Sequence, residues 1–222
     1  SHLSRWQETP AIRALPACLQ SGRTDQLQKL LAQQFSSFTQ ESGAAQAREF
    51  SLSFLVSLIA AGTALSSDYS WILPCVNHIP QITESRQPAA LQKLIFSEAE
   101  RLIRRLKARE DANKSALILS AQRYIDQHLD DPDLSLDQVS RHVGFSGTYF
   151  CRLFHQEMQI SFNDYLNRMR VERAKELLHT PSLRISEVSR LSGYNTPTHF
   201  NYMFKRLAGV TPSEYKSAIL KR

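Results

Sequence analysis

Two short stretches of the chain carry hydrogen-bonding side chains at the spacing of one helical face. These side chains are Thr148, Cys151 and Arg152 in the first stretch and Thr198, Asn201 and Tyr202 in the second. A guanidinium can donate two hydrogen bonds to a guanine edge, a carboxamide can pair with adenine, and a threonine can contact a base edge or a methyl group. Because residues three and four apart share one face of a helix, both stretches are candidate faces for reading DNA bases.

Neighbouring residues in the same stretches could contact the phosphate backbone of that duplex. Phosphate oxygens accept hydrogen bonds from basic, hydroxyl and imidazole side chains and from backbone amides at helix N-termini. The candidates are Gly147, Tyr149 and His155 in the first stretch and Pro197, His199, Lys205 and Arg206 in the second. Each residue taken alone is an ordinary surface residue, so the hypothesis depends on the two faces as wholes.

An internal repeat supplies the elements that would position these faces. Residues 136–145 (LDQVSRHVGF) and 185–194 (ISEVSRLSGY) share an order of apolar residue, Val, Ser, Arg, Gly and aromatic residue. In each copy a serine, Ser135 or Ser186, can cap a short helix. A glycine then suits the left-handed turn that ends this helix, and a second helix follows, which is typical of a helix-turn-helix unit. The predicted units are 135–158 and 185–207.

A long helix between the two units would set their separation. The segment from Phe162 to about His179 is amphipathic. A helix of this length spans roughly 27 Å, which could place the two recognition helices about one DNA turn, roughly 34 Å, apart. A last helix begins at Pro212. The alternative, an ordinary helical bundle with a coincidental repeat, is disfavoured because two matched copies flank one long helix.

The first half of the chain is also predicted to be helical, so the fold class is all-α. Apolar residues recur at three and four over 27–38, the stretch 50–65 is predicted as a buried helix, and the prolines in 68–88 indicate short helices. A long helix is expected over about 89–109, followed by a polar junction at 110–115. The predicted regions are 1–112, a helical regulatory or dimerisation region, and 113–222, the DNA-binding domain.

The helix predicted over 89–109 leaves two interpretations open. Its apolar stripe consists of Leu91, Ile95, Ala99, Leu102 and Leu106. This stripe follows a heptad pattern, which could form a dimer seam. Because the pattern lasts for barely two repeats, the stripe could equally pack on the chain's own N-terminal helices. The basic cluster that ends it is either a solvated face or a phosphate-binding strip. Its members are Arg101, Arg104, Arg105, Lys107 and Arg109.

Composition restricts the class of protein. The net charge of +6 favours a polyanionic partner, but residues 1–114 and 115–222 each carry +3, so charge alone does not locate the site. The three cysteines form no C-x-x-C pair and the histidines lack metal-ligand spacing. We therefore expect no metal, no cofactor and a reducing, cytoplasmic location. The stretch 50–65 is too short to span a bilayer comfortably, so we expect no membrane partner.

The C-terminal half resembles the DNA-binding domain of AraC/XylS-family transcription regulators. The similarity is carried by the repeat copies, by 145–154 (FSGTYFCRLF), by 162–178 (FNDYLNRMRVERAKELL) and by 209–215 (GVTPSEY). It implies an all-helical domain that binds asymmetric promoter sites, with base contacts at the six positions named first. It also implies double-stranded promoter DNA as partner. A homodimer through the N-terminal helices and a contact with RNA polymerase are two further interactions that the sequence leaves open. Cys151 and Pro197 depart from the residues that the family more often carries, which leaves the base preference of each half-site open.

The N-terminal half leaves alternative functions open. Residues 15–23 (LPACLQSGR) and the following helix resemble the helical segment between the receiver and the DNA-binding domain of YesN-like response regulators, and this chain has no α/β pattern for a receiver. A small-molecule sensor is a second interpretation, with Phe50, Phe54, Tyr69 and Trp71 lining a pocket. A DNA-repair methyltransferase fragment is disfavoured by the cysteine spacing, so we expect no enzyme and no catalytic residue.

Overall fold

The chain is helical throughout the part that the structure describes. The computed structural model describes residues 4–38 and 43–220, and within these ranges it contains α-helices and a short 3-10 turn at Ser4–Trp6 but no strand. The all-α class predicted from the sequence is confirmed. Two compact units meet between Asp111 and Ala112.

The N-terminal unit is built on helices α1 to α5 and the first part of α6. Their bounds are α1 (Pro10–Ser21), α2 (Thr24–Ser36), α3 (Gly43–Leu65), α4 (Ile72–Val76), α5 (Ile79–Glu84) and α6 (Pro88–Gln127). Prolines lie in the first turns of α1, α5 and α6, where the missing N–H has no intrahelical partner to lose. Gly22 ends α1 with a left-handed φ of 70°.

Helix α3 forms the centre of this unit. It is longer than the stretch 50–65, and its length and composition would allow it to cross a membrane. Phe50 and Phe54 are nevertheless fully buried, and Phe50 packs edge-on against Trp6 and Phe35 with ring centroids 5.7 and 5.6 Å apart. The helix predicted over 50–65 is therefore present and is buried on the face that carries these phenylalanines, whereas Val56 and Leu65 are 56% and 38% exposed.

The proline-containing segment between α3 and α6 forms the short helices α4 and α5, as predicted. Trp71, next to α4, is buried against Gly62 of α3, where any larger side chain would overlap the indole ring. Tyr69 is 57% exposed. Of the four aromatic residues suggested as a ligand pocket, Phe50, Phe54 and Trp71 thus belong to one packed core, whereas Tyr69 lies on the surface.

The junction expected at 110–115 contains the division between the two units, but it is helical. The helix continues without interruption from Pro88 to Gln127. Residues 110–115 (EDANKS) contain neither glycine nor proline, and glutamate, alanine and lysine all favour helices. Their polarity therefore marks a solvated helical surface, because polar composition alone does not end a helix.

The apolar stripe of α6 packs on the chain's own N-terminal helices. Leu91, Ile95, Ala99 and Leu102 are at most 2% exposed and belong to the core of the N-terminal unit. The arginines of the basic cluster pair with nearby residues. These pairs are Arg101 with Glu98, Arg104 with Glu100 at 3.4 Å, Arg105 with Asp68 at 2.8 Å and Arg109 with Ser66 at 2.6 Å. Protein partners for four arginines favour the solvated-face interpretation over a phosphate-binding strip.

The C-terminal unit contains the end of α6 and helices α7 to α12. Their bounds are α7 (Leu136–His142), α8 (Gly147–Met158), α9 (Phe162–Leu178), α10 (Ile185–Leu191), α11 (Pro197–Ala208) and α12 (Pro212–Leu220). Helices α7 and α8, like α10 and α11, form a short helix, a glycine turn and a longer helix. The predicted architecture of two helix-turn-helix units joined by a linker helix is confirmed.

The linker helix α9 contributes side chains to two hydrophobic cores. Phe162 and Leu166, near its start, pack in the core that contains α8. Val171, Ala174 and Leu178, in its second half, pack in the core that contains α11. One rigid element therefore supports both helix-turn-helix units.

Candidate nucleic-acid interface

The first helix of each unit is capped in a different way. The backbone of Gln138 donates to Ser135 Oγ at 3.4 Å and its side-chain oxygen accepts from Ser135 N at 2.9 Å, which forms a capping box at α7. The prediction that Ser186 caps α10 is wrong, because α10 begins one residue before it. Arg184 N instead donates to Glu187 Oε2 at 2.7 Å. A carboxylate in α10 therefore satisfies the backbone amide that precedes the helix.

The recognition helices α8 and α11 both begin at a side-chain cap. Ser146 Oγ accepts a hydrogen bond from Tyr149 N at 3.4 Å, and Thr196 Oγ1 accepts one from His199 N at 3.3 Å. Each cap satisfies an amide that has no partner inside the helix. The caps fix the points at which both candidate faces begin.

Helix α8 separates a buried face from an exposed polar face. Phe150, Leu153 and Phe154 are at most 3% exposed. The predicted residues on the other face are either exposed (Thr148, Cys151, Arg152, His155) or half-buried (Gly147, Tyr149). All of these except Tyr149 line one groove of about 780 Å³ beside the start of α9. The structure thus brings most of the first predicted site together on one surface.

The groove includes three polar residues that the sequence analysis did not select, Asp137, Gln156 and Ser161. Gln156 follows Arg152 by four residues and extends the exposed face of α8; counting helical positions could have identified it. Asp137 comes from α7, so only the folded helix-turn-helix brings it to the groove. Its carboxylate can accept a hydrogen bond from a cytosine amino group, which adds an acceptor to a face rich in donors.

An aromatic pair supports Arg152. Its guanidinium carbon lies 5.9 Å from the ring centroid of Tyr149, within the range of a cation–π contact. The Tyr149 ring stacks on Phe145 with centroids 5.0 Å apart, although Phe145 is 45% exposed. The stack restricts the side chain of Arg152, so its donors are partly positioned before any ligand binds.

Helix α11 shows the same division as α8. Phe200, Met203 and Phe204 are at most 4% exposed. The predicted residues on its other side are all exposed, namely Pro197, Thr198, His199, Asn201, Tyr202, Lys205 and Arg206. The second predicted site therefore also lies on the exposed side of its helix.

Two of the candidate phosphate contacts on α11 already have protein neighbours. Arg206 Nη2 lies 3.8 Å from Asp164 Oδ1 of the linker helix. The His199 ring packs edge-on against Tyr194 with centroids 5.5 Å apart. Both side chains remain exposed. These contacts therefore orient the two side chains and leave them accessible to a DNA phosphate.

Metal and thiol chemistry finds little support in the described residues. Within residues 4–38 and 43–220, no group of three His, Cys, Asp or Glu side chains is arranged to hold a metal ion. Burial, with a smaller effect of Glu98, raises the pKa of Cys75 to about 12. Burial also raises the pKa of Cys18. Protonated, buried thiols are weak nucleophiles, which argues against a methyl-accepting role for either cysteine.

Comparison with known proteins identifies relatives. Residues 139–218 match a family model described as a helix-turn-helix domain. The chain is similar to the regulatory protein PocR of Salmonella typhimurium, with 32% identity over 158 residues that cover 68% of this chain and 50% of PocR. It is similar to the uncharacterized transcriptional regulatory protein YesN of Bacillus subtilis, with 30% identity over 166 residues that cover 71% of this chain and 45% of YesN. The chain spans about half the length of these curated relatives.

A solved structure gives a further comparison. The chain is similar to the C-terminal domain of AraT, a response regulator from Geobacillus stearothermophilus, with 35% identity over 46% of this chain and 84% of that chain and a TM-score of 0.45. PocR and YesN are both named as regulatory proteins, in agreement with the expectation that the chain is not an enzyme.

Proposed function

Because the C-terminal half of the chain belongs to the AraC-type family of helix-turn-helix domains, we propose that the protein regulates transcription by sequence-specific binding to a promoter duplex. In this proposal α8 and α11 enter successive major grooves. The supporting observation is that both helices bury one face and expose every predicted base-reading residue on the other. A buried Arg152 or Asn201 would have argued against it.

The base-reading roles follow from the chemistry of the exposed groups. Arg152 donates two hydrogen bonds to guanine, and Asn201 pairs with adenine. Thr148, Thr198 and Tyr202 contact base edges or thymine methyl groups. Cys151 occupies the position on α8 that corresponds to Asn201 on α11, and its thiol is only a weak donor. The proposed half-sites therefore differ in base preference, in keeping with an asymmetric promoter site.

The remaining candidate residues would hold the duplex by its phosphate backbone. Gly147 and Pro197 are the first residues of the recognition helices, where the partial positive charge of the helix end attracts phosphate. The side chains proposed to contact phosphates are Tyr149, His155, His199, Lys205 and Arg206. These contacts set orientation and register rather than sequence preference.

Selection of bound sequences from a random duplex pool tests the proposal. The protein should enrich one two-part motif. Arg152→Ala should cost about 1–3 kcal/mol of binding free energy and relax base preference within one half-site only. Equal weakening on all sequences would contradict a base-reading role.

Arg104→Ala is the matched control for this measurement. Arg104 is an exposed arginine of the N-terminal unit, paired with Glu100, so its removal changes net charge by the same amount. The motif selected by this variant should equal that of the unmodified protein. Failure of the unmodified protein to enrich any motif would refute sequence-specific binding itself.

A homodimer through the N-terminal unit is a second part of the proposal. Residues 69–83 contain no Asp, Glu, Lys or Arg, and Tyr69, Leu73, Val76 and Ile79 are 38–68% exposed. Depletion of charged groups is typical of the centre of protein interfaces. Light scattering on the full chain should give twice the monomer mass, and Leu73→Glu should give the monomer. Leu119→Glu, at an exposed leucine of the C-terminal unit, should leave the mass unchanged.

The proposed regulator acts in the cytoplasm, on promoters that RNA polymerase also occupies. The matches to PocR and YesN cover 158 and 166 residues and so extend beyond the C-terminal unit. This length supports a role of the N-terminal unit as the helical segment that precedes the DNA-binding domain in YesN-like proteins. Transcription in vitro from a promoter that carries the selected motif tests the polymerase contact; no change in transcript yield would refute it.

A further inference from the structure

The turns of the two helix-turn-helix units share a backbone conformation but differ in surroundings. Gly144 and Gly193 have φ values of 78° and 77°. Gly144 is exposed, and a Cβ atom there would meet no atom within 4 Å. Gly193 is buried, and a Cβ atom there would overlap the carbonyl group of Leu129 and lie 2.8 Å from Arg170 Nε. The second turn is therefore packed against the segment that precedes the first unit.

Arg170 of the linker helix lies at this contact. Its Nη2 donates to the carbonyl oxygen of Asp131 at 2.7 Å and its Nε donates to that of Leu129 at 3.3 Å. Its guanidinium carbon is 5.7 Å from the ring centroid of Tyr194, which follows Gly193. One side chain thus contacts the segment before α7, its own helix α9 and the turn before α11.

The two contact regions belong to different hydrophobic cores. Leu129 packs in the core that contains α8, whereas Tyr194 packs in the core that contains α11. A shift of one core relative to the other would separate Arg170 from a carbonyl oxygen or from the aromatic ring. The arginine therefore reports and restrains the arrangement of the two recognition helices.

Burial makes this contact sensitive to geometry. Arg170 is 7% exposed, and burial lowers its pKa. A buried guanidinium is costly unless its donors are satisfied. Its planar fork reaches two carbonyl oxygens of one segment, which an ammonium or an apolar side chain cannot reproduce. Small displacements would thus leave a buried charge poorly paired.

We propose that Arg170 is a positioning residue that fixes the separation and rotation of α8 relative to α11, and that it thereby sets the half-site spacing that the domain accepts. The second part rests on the proposed function. An extra base pair between half-sites shifts the second one by about 3.4 Å and rotates it by about 35°. A rigid pair of helices cannot follow both changes.

The first experiment measures the arrangement without DNA. Cys151 on α8 is exposed whereas Cys18 and Cys75 are buried, so the full chain with Asn201→Cys can carry a spin label on each recognition helix. Double electron–electron resonance should give one narrow distance distribution. Adding Arg170→Met, which keeps most of the apolar stem but removes the fork, should broaden or shift it.

Matched variants separate positioning from charge or folding. Arg168→Met removes an exposed arginine two positions away on α9 and should leave the distribution narrow. Circular dichroism will show whether Arg170→Met is folded. If it is unfolded, the same distance measurement is made on Arg170→Lys, which keeps the charge and the apolar stem but lacks the planar fork. The inference is overturned if the folded Arg170 variant has the same distance distribution as the doubly labelled protein with Arg170 intact. It is also overturned if Arg168→Met broadens the distribution as much as the Arg170 variant does.

The second experiment measures spacing preference by fluorescence anisotropy. The duplexes carry the selected half-sites at the best spacing and at spacings one or two base pairs shorter and longer. The unmodified protein should lose at least about tenfold in affinity for each change of one base pair, and Arg170→Met should bind all spacings within about threefold. Retention of the full preference in Arg170→Met overturns the spacing role. Absence of binding by the unmodified protein at every spacing refutes the proposed function, while the resonance measurement still decides the positioning role.

Discussion

The two turn glycines form a matched pair for a stability test. Gly193→Ala and Gly144→Ala place the same methyl group on nearly the same backbone conformation, since both φ values are close to 78°. The surroundings differ, because the methyl group at Gly144 meets open space and that at Gly193 meets the Leu129 carbonyl and Arg170. The difference between the two variants therefore isolates the packing of the second turn.

The expected magnitudes follow from these surroundings. A left-handed conformation costs an alanine about 1 kcal/mol relative to glycine, so Gly144→Ala should lower the free energy of unfolding by that amount. Gly193→Ala carries the same penalty and must also displace a backbone carbonyl and a buried side chain, which by analogy with overpacked cores adds about 1–3 kcal/mol. We expect a loss of about 2–4 kcal/mol at Gly193.

Denaturant unfolding of the full chain can measure both variants. The two tryptophans, Trp6 and Trp71, belong to the N-terminal unit, so their fluorescence reports that unit while circular dichroism reports both. The variants should change the dichroism transition and leave the fluorescence transition in place. Equal losses at the two glycines, or a larger loss at Gly144, would refute the reasoning about the packed turn.

Three further predictions concern binding and pH. Lys205→Ala should weaken binding to every sequence and reduce the salt slope by about 0.9; a changed motif in duplex selection would contradict a phosphate contact. Tyr149→Ala should reduce the affinity more than Tyr149→Phe, because alanine loses both the ring beneath Arg152 and the hydroxyl contact to phosphate whereas phenylalanine loses only the hydroxyl; similar affinities of both variants in a titration would refute the supporting stack. Because burial raises the pKa of Cys75 from 9.0 to about 12, the folded unit favours the protonated thiol, so its contribution to stability is complete below pH 9 and is lost as the pH rises toward 12. Tryptophan fluorescence should show this loss, and it should be smaller in Cys75→Ala; identical profiles would exclude Cys75 as its source.

The tandem helix-turn-helix architecture was predictable from the sequence because its signals are local. The repeat places a glycine at each left-handed turn, and apolar residues four apart, such as Phe150 and Phe154, mark the buried side of each recognition helix. Once the buried side is known, the exposed side follows from helical geometry. The positions of Arg152 and Asn201 on exposed faces needed no tertiary information.

Features that depend on tertiary contacts were not predictable. The equivalent glycines Gly144 and Gly193 look alike in the sequence, and only the fold places Leu129 against one of them. Likewise Asp137 reaches the α8 groove through the turn between two helices. The two units do divide within the expected junction at 110–115, but the helical conformation of that segment was not predicted, since a solvated stretch of a long helix and a polar linker have the same composition.

Helix α9 contributes to two hydrophobic cores, and this has a consequence for the synthesis and degradation of the protein. A nascent or proteolysed chain that ends before Phe162 would expose the aromatic side of α8, because Phe162 and Leu166 complete that core. A fragment that begins after Leu178 would leave α11 without Val171, Ala174 and Leu178. We therefore expect truncated products with a single recognition helix to be substrates for cellular proteases, so that such fragments do not persist to compete with the complete regulator for its half-sites.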